Sequence, residues 1–274
     1  MNPLVHLAVM VSVLAPLALC LSLALASLVG RIGERGVGVA TRTALAAALA
    51  GSSTALAAAL ASDGGSWTLR LGSWFSAGEA GFAFDLAVDA ISLGFATLSL
   101  LICNVVAAFS FCYLRREPGY RRYFVQFALF VAGITLVALA GSVEVLFVGW
   151  ELIGLSSALL VGFFQERPAP VRNAWRVFAV YRLGDAAMLA AAVLVHHWYG
   201  HGFPGELVQG AIAAEPARAL AISVLLILAV AVKSALWPFS GWLPRAMEGP
   251  TPSSAVYYGA LSIRDAFSCC ASSR

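Results

Sequence analysis

Charge is what this sequence lacks. Only 11% of its 274 residues are Asp, Glu, Lys or Arg, while 61% are hydrophobic; a soluble domain carries roughly 25% charged residues. A chain this poor in ionised groups cannot coat a globular surface with them, which sets aside a soluble enzyme domain. A net charge of +3 gives no basic excess of the kind that nucleic acid requires. The partner implied by composition is a lipid bilayer. Lysine is scarcer still, because the 17 basic residues are sixteen arginines and one lysine, Lys233. GC-rich coding accounts for the arginine bias and for the abundance of alanine. The five cysteines (Cys20, Cys103, Cys112, Cys269, Cys270) have no C-x-x-C spacing. The first three lie in apolar runs, where Cys behaves as a small hydrophobe. Neither a disulfide framework nor a metal site is expected, and no pattern for flavin, iron–sulfur or nicotinamide is present. No cofactor and no catalytic site within this chain are expected.

What is present is a series of apolar runs near 20 residues long, the length that crosses a bilayer core. Residues 4–29 contain no charge. No Lys or Arg precedes this run, and it exceeds the apolar core of a signal peptide, so it reads as a retained helix. Residues 43–62 form a weaker, alanine-rich span that small-residue packing can hold. Residues 63–85 are rich in Gly and Ser. Their alternating Trp67–Leu71 and the segment 81–84 predict an extramembrane hairpin. Further spans are predicted at 90–114, 123–143, 145–164, 173–198 and 219–236, with an eighth starting near Ser253. The expected fold class is therefore all-α: a polytopic transmembrane helix bundle of about seven full spans plus a truncated eighth, its seventh helix broken.

Loop charge orients these spans. Arg31, Arg35 and Arg42 lie in the first connection, Arg115, Arg116, Arg121 and Arg122 in the third, and Arg167, Arg172 and Arg176 in the fifth. The second and sixth have one arginine each (Arg70, Arg218) among Asp63, Glu79, Asp85, Asp89, Glu206 and Glu215. The positive-inside rule then puts the odd connections in the cytoplasm and the N-terminus outside.

A charge at bilayer depth costs at least about 2.5–3.5 kcal/mol on insertion scales, so three intramembrane residues stand out: Glu151, Asp185 and Lys233. Glu151 sits between Gly149 and Gly154, which would allow close helix approach. It reads either as a functional carboxylate or as a protonated group bonded to a neighbouring helix. Glu144, after Ser142, reads as a first-turn partner of the helix dipole. Asp185 follows Arg182, and Arg176, Arg182 and Asp185 are expected near one another on successive turns. They form either a structural ion pair or a polar path into the bundle. Lys233 closes an uncharged run and precedes Pro238, Gly241 and Pro244. Pro238 should break the helix near Lys233–Ser234, and such breaks occur where freed backbone lines a polar cavity. Arginine cannot release its proton, whereas a buried lysine can. Lys233 is accordingly the candidate proton carrier, with Glu151 or Asp185 as a carboxylate that approaches and withdraws. His196, His197 and His201 match no metal-ligand spacing and read as interfacial, beside Trp198 and Tyr199.

Two strings resemble a known family. Phe147-Val148-Gly149-Trp150-Glu151 within 122–164, and Lys233-Ser234-Ala235 followed by Gly241-Trp242-Leu243-Pro244-Arg245-Ala246-Met247-Glu248-Gly249-Pro250-Thr251-Pro252, are similar to the proton-conducting membrane subunits of respiratory complex I (subunit L) and Mrp antiporters. The resemblance runs from about Phe84 to Ser262, and Asp89 matches an acidic residue before the family's third helix. It implies a core of two inverted five-helix repeats, with Glu151 and Lys233 as the ion pair that drives proton movement. Two departures bear on the branch. Arg245 replaces the usual Asp of W-L-P-D-A-M-E-G, and Tyr258 stands near the place of a usual His. With Glu166–Asn173, these resemble the DabB branch, the membrane partner of DabA in inorganic-carbon uptake. That resemblance implies proton flow energising CO2 or bicarbonate uptake with a DabA-like soluble or peripheral zinc protein, alongside other membrane subunits, in a bacterial inner membrane. A NADH-quinone oxidoreductase subunit L, a Mrp-type cation:proton antiporter subunit and a nonfunctional fragment are the alternatives.

The expected organisation is 1–83 for N-terminal helices and hairpin, 84–263 for the first half of the antiporter-like domain, and 264–274 for a tail. Residues 264–271, encoded with GC-rich codons and shifted in frame, read Arg-Arg-Leu-Leu-Leu-Leu-Arg. The tail is thus expected to be the frameshifted end of a longer reading frame, a genuine short polar terminus being the alternative.

Overall fold

The computed structural model describes residues 3–30, 33–62, 66–77, 80–199 and 215–257. The expectations placed on Asp63, Glu79, His201, Glu206, Tyr258, the cysteines at 269 and 270, the later part of the eighth span and the tail from Arg264 lie outside these residues.

Among the described residues, seven helices are long and apolar enough to cross a membrane: α1 (Pro3–Val29), α2 (Glu34–Ala61), α3 (Ala90–Tyr113), α4 (Tyr120–Ala138), α5 (Val143–Val161), α6 (Pro168–Tyr199) and α7 (Pro216–Lys233). The bundle of spans expected from hydropathy is the fold observed. Helix α2 begins at Glu34 rather than at residue 43. Glu34 favours the positive end of the helix dipole, and Arg42 lies over the Phe111 ring at 4.6 Å. Helix α6 begins at Pro168 rather than 173, with proline in the first turn, where its missing N–H costs nothing.

Strands β1 (Trp67–Ala77) and β2 (Ala80–Val88) form the expected hairpin, antiparallel with Trp67 opposite Val88 and Arg70 opposite Asp85. The 83/84 boundary falls within β2. At its end, Asp89 caps α3: its Oδ1 accepts from the backbone N–H groups of Ile91 and Ser92 at 2.8 and 2.9 Å. The hairpin also decides where α4 ends. The predicted span to residue 143 stops at Ala138, because the following backbone turns to pair with β2. Ala87 N–H donates to Leu139 O at 2.9 Å, and Gly141 N–H to Asp85 O at 2.8 Å. Ser142 then caps α5, as its position suggested, accepting from the Val145 N–H at 3.5 Å.

Helix α4 is buried along most of its length, from Tyr123 to Ala138, and forms the centre of the bundle. Helix α1 packs against α2 and α4, α2 against α3, α4 against α5, α5 against α6 and α6 against α7. The aromatic cluster of Tyr123, Phe124, Phe127, Phe130 and Phe163 fills the core. Helix α7 is the contrast: Ala229, Val232 and Lys233 are its buried residues, and Leu220, Val224 and Ile227 are exposed apolar groups.

The seventh helix ends at Lys233, as expected of the break. Ser234 is its C-cap, and Ala235 takes a left-handed conformation (φ 54°). Beyond Pro238 the chain makes two 3₁₀ turns, Phe239–Trp242 and Pro244–Glu248. A short helix α8 (Thr251–Val256) follows. The carbonyl of Val232, freed where the helix stops, accepts from the Trp242 indole N–H at 2.9 Å.

Candidate functional site

Four charged side chains from three helices meet inside the bundle. On α6, Arg182 lies 2.6 Å from Asp185 Oδ2 and donates to Glu151 Oε2 of α5 at 2.8 Å. On α7, Lys233 Nζ lies 3.0 Å from Asp185 Oδ1. Lys233 and Asp185 are 2% and 4% exposed, whereas the side chains of Arg182 and Glu151 are 40% and 28% exposed. The group thus runs from a partly open edge at Glu151 and Arg182 to a closed end at Lys233.

The geometry revises the expected pairing. Glu151 was the anticipated counter-charge of Lys233, with Asp185 as the other choice. The structure pairs Lys233 with Asp185 and Glu151 with Arg182. The cause is the packing of α6 on α7. At Gly184 the Ala229 carbonyl and Val232 side chain lie only 3.1–3.2 Å from where a Cβ would stand, which brings Asp185 beside Lys233. Arg176 is corrected as well. It does not join Asp185, because the nine positions separating them carry it about 180° around the helix and about 13 Å along it; it lines a separate cavity near the break.

Sequence reasoning passed over two kinds of contributor to the lysine pocket, aromatic side chains and a glycine. The Trp150 indole N–H donates to the same Asp185 Oδ1 at 2.7 Å, and its carbonyl lies 3.4 Å from Lys233 Nζ. The ammonium also stands 4.9 Å from the Trp150 ring centroid and 4.6 Å from that of Tyr181, distances at which cation–π attraction acts. The Tyr181 ring in turn meets Trp242 edge-on at 4.9 Å. The neighbourhood of Trp150 and Glu151 was legible in the sequence, but an aromatic residue inside an apolar span carries no mark of a polar duty.

The second is Gly154. Of the two glycines expected to allow helix approach, Gly149 does so, with the Gly133 carbonyl 2.9 Å from where its Cβ would be. At Gly154 the atom that a Cβ would meet is Lys233 Nζ, at 2.7 Å. The missing side chain of Gly154 is therefore the space the ammonium occupies. Because Lys233 is the only lysine, ¹⁵N-lysine labelling reports on it alone. Gly154→Ala is expected to shift that side-chain resonance at a cost of about 1–3 kcal/mol of stability, since the added methyl must displace an ammonium already held by Asp185. An unmoved resonance in a folded variant would contradict this placement.

At the far end of the same helices, His196 Nε2 lies 2.7 Å from Glu144 Oε1, so Glu144 ties the start of α5 to the end of α6 besides serving the helix dipole. Among the described residues no group of three or more His, Cys, Asp or Glu is placed to hold a metal.

The comparisons agree with this architecture. The profile described as "NADH:quinone oxidoreductase/Mrp antiporter, TM" matches residues 140–263. The profile for the N-terminus of NADH-ubiquinone oxidoreductase (complex I) chain 5 matches 74–124. The chain belongs to this family of membrane subunits. NADH-quinone oxidoreductase subunit L of Mycobacterium tuberculosis is 34% identical over 191 residues, 70% of this chain and 30% of the relative. The probable inorganic carbon transporter subunit DabB1 of Halothiobacillus neapolitanus is 35% identical over 197 residues, 69% of this chain and 34% of the relative. The chain thus spans about a third of the length of these relatives. In the solved structure of the Mrp complex from Dietzia sp., one chain superimposes with a TM-score of 0.74 at 28% identity, over 95% of this chain and 27% of that one. A chain of the archaeal membrane-bound sulfane sulfur reductase shares the fold, with a TM-score of 0.83 at 17% identity over 96% of this chain and 52% of that one. This antiporter-type family consists of multi-pass membrane proteins, and the seven spans place this chain among them.

Proposed function

We propose that the chain is the proton-conducting portion of a membrane transporter subunit, with Lys233 as the group that gains and loses the proton. The observation that carries this reading is a 2% exposed ammonium held by a buried carboxylate at a helix break. Of the two cations in the cluster, Arg182 keeps its proton at any accessible pH, and only lysine can change charge. With all four groups ionised the cluster sums to zero. Release from Lys233 would leave it at −1 in surroundings that penalise net charge. Proton loss at Lys233 is therefore coupled to proton arrival at Asp185 or Glu151. Glu151, partly exposed and held by Arg182, forms the outer relay, and Asp185 the inner one. The break at Pro238, Gly241 and Pro244 provides the polar backbone past which the proton moves.

The finer reading is that this proton flow energises inorganic-carbon uptake by a DabA-like zinc protein, within a bacterial inner membrane and with the N-terminus outside. Arg245 and Tyr258, and the likeness to DabB1, support it; the arginine-rich odd connections support the orientation. The second reading, a respiratory subunit L or a Mrp-type antiporter subunit, is supported by the Mycobacterium tuberculosis relative, which matches the same share of the chain. Membrane vesicles holding the assembled complex are expected to dissipate an imposed pH gradient, followed with a pH-sensitive dye, faster than vesicles lacking this chain. A co-purifying zinc protein supports carbon uptake, and respiratory subunits support the second reading. Equal rates in both kinds of vesicle would refute proton conduction.

A further inference from the structure

Where α6 passes the helix break, the two border a half-open cavity of about 160 Å³. Two arginines line it, Arg176 from α6 and Arg245 from the second 3₁₀ turn, together with Pro238, Phe239 and Trp242. Among the described residues neither arginine has a carboxylate within ion-pair distance. Arg245 donates to the Gly241 carbonyl, which leaves most of its five donors unspent. Glu248, the acidic residue of the same turn, is instead engaged by the Asn173 amide at 3.4 Å.

Two like charges sharing one concavity repel, and an anion between them converts that repulsion into attraction. The planar fork of arginine matches oxyanions in particular, which it grips through paired hydrogen bonds. The rest of the wall is apolar and aromatic, suited to the ester portion of an amphiphile. The depth also fits. Trp175 and Trp237, adjacent in sequence to the wall residues Arg176 and Pro238, are 68% and 87% exposed, and exposed tryptophans gather at the level of lipid headgroups. We propose that this cavity is an oxyanion site, and that the tryptophans favour the phosphate of an anionic phospholipid as its source. Its occupant touches the machinery of the break directly, because Trp242, which lines the cavity, also holds the Val232 carbonyl one residue before Lys233.

The site can be tested without any transport assay, so its failure and that of the proton reading are separate results. The full chain, with its accompanying subunits, is placed in nanodiscs of phosphatidylcholine alone or mixed with phosphatidylglycerol, and bound lipid is counted by native mass spectrometry. Phosphatidylcholine discs are also titrated with inorganic phosphate and with bicarbonate, with thermal stabilisation as the readout. Retention of phosphatidylglycerol is expected to fall about 30-fold in the Arg176→Gln, Arg245→Gln double variant. It should be unchanged in Arg172→Gln, an exposed arginine of the same helix outside the cavity. Stabilisation by phosphate or bicarbonate that vanishes in the double variant would make the source a free oxyanion in the same site. If neither lipid nor free anion responds to the two arginines, the proposal is wrong.

Discussion

Lys233→Met is expected to reduce proton-coupled flux by roughly 100-fold or more, as removal of a positioned proton-transfer group does, while the protein still inserts and assembles. Methionine matches the length of the lysine stem and suits the space between the Trp150 and Tyr181 rings. Asp185 keeps Arg182 at 2.6 Å and the Trp150 indole at 2.7 Å, so it retains partners, and the loss of the buried pair, on the order of 3–5 kcal/mol, is expected as lower stability rather than failed assembly. The decisive companion is Lys233→Arg. An arginine preserves the charge and the ion pair but cannot release its proton. If Lys233 only braced the bundle, arginine would restore activity; as a proton carrier it is not expected to. Dye-monitored flux, compared with the amount of assembled complex, separates the two outcomes, and normal flux in either variant would overturn the role given to Lys233.

Asp185→Asn should act on folding as well as on flux. One Asp185 oxygen accepts from both Lys233 and Trp150, and the other faces Arg182. An asparagine offers one oxygen and one NH2, so a donor is turned toward a donor whichever way the amide is set. The cluster also moves from neutral to +1. Breaking a buried ion pair by removing one partner costs on the order of 3–5 kcal/mol, and that loss is expected in the unfolding of the detergent-solubilised protein. Lys233, deprived of its carboxylate, loses its nearest anionic partner, which the single ¹⁵N-lysine resonance would report. A variant as stable as the parent, its lysine resonance unmoved, would mean that Asp185 does not hold the ammonium.

The sequence declared the spans because lipid dictates their composition directly: runs such as 4–29 and 90–114 can be little else. It was mute where helices leave the lipid. The first turns of α2 and α6, with Glu34, Arg35 and Arg172, lie beyond any apolar window yet cost nothing as helix in water or among headgroups. The end of α4 was hidden for a different reason. Ala138 is followed by residues as apolar as those before it, and only the backbone of β2, some 50 residues earlier, stops the helix. In the site, Glu151, Asp185 and Lys233 announced themselves as charges in apolar surroundings. Their partners did not, because pairing depends on how α5, α6 and α7 pack. Hence Lys233 meets Asp185 rather than Glu151, and Gly154 is the berth of an ammonium rather than a helix contact.

The backbone bonds from β2 to Leu139 and Gly141 give α5 a fixed fulcrum immediately before its first residue. Any rotation of α5 about that point displaces its residues in proportion to their distance along the helix. Glu151 is eight residues from Val143, about 12 Å up the arm, and Gly154 lies farther out. A tilt of about 5° would carry the Glu151 backbone by about 1 Å, a third of the 2.8 Å that separates its carboxylate from Arg182. The hairpin, remote from every charged group of the cluster, thereby sets how much angular play is needed to make or break the outermost ion pair.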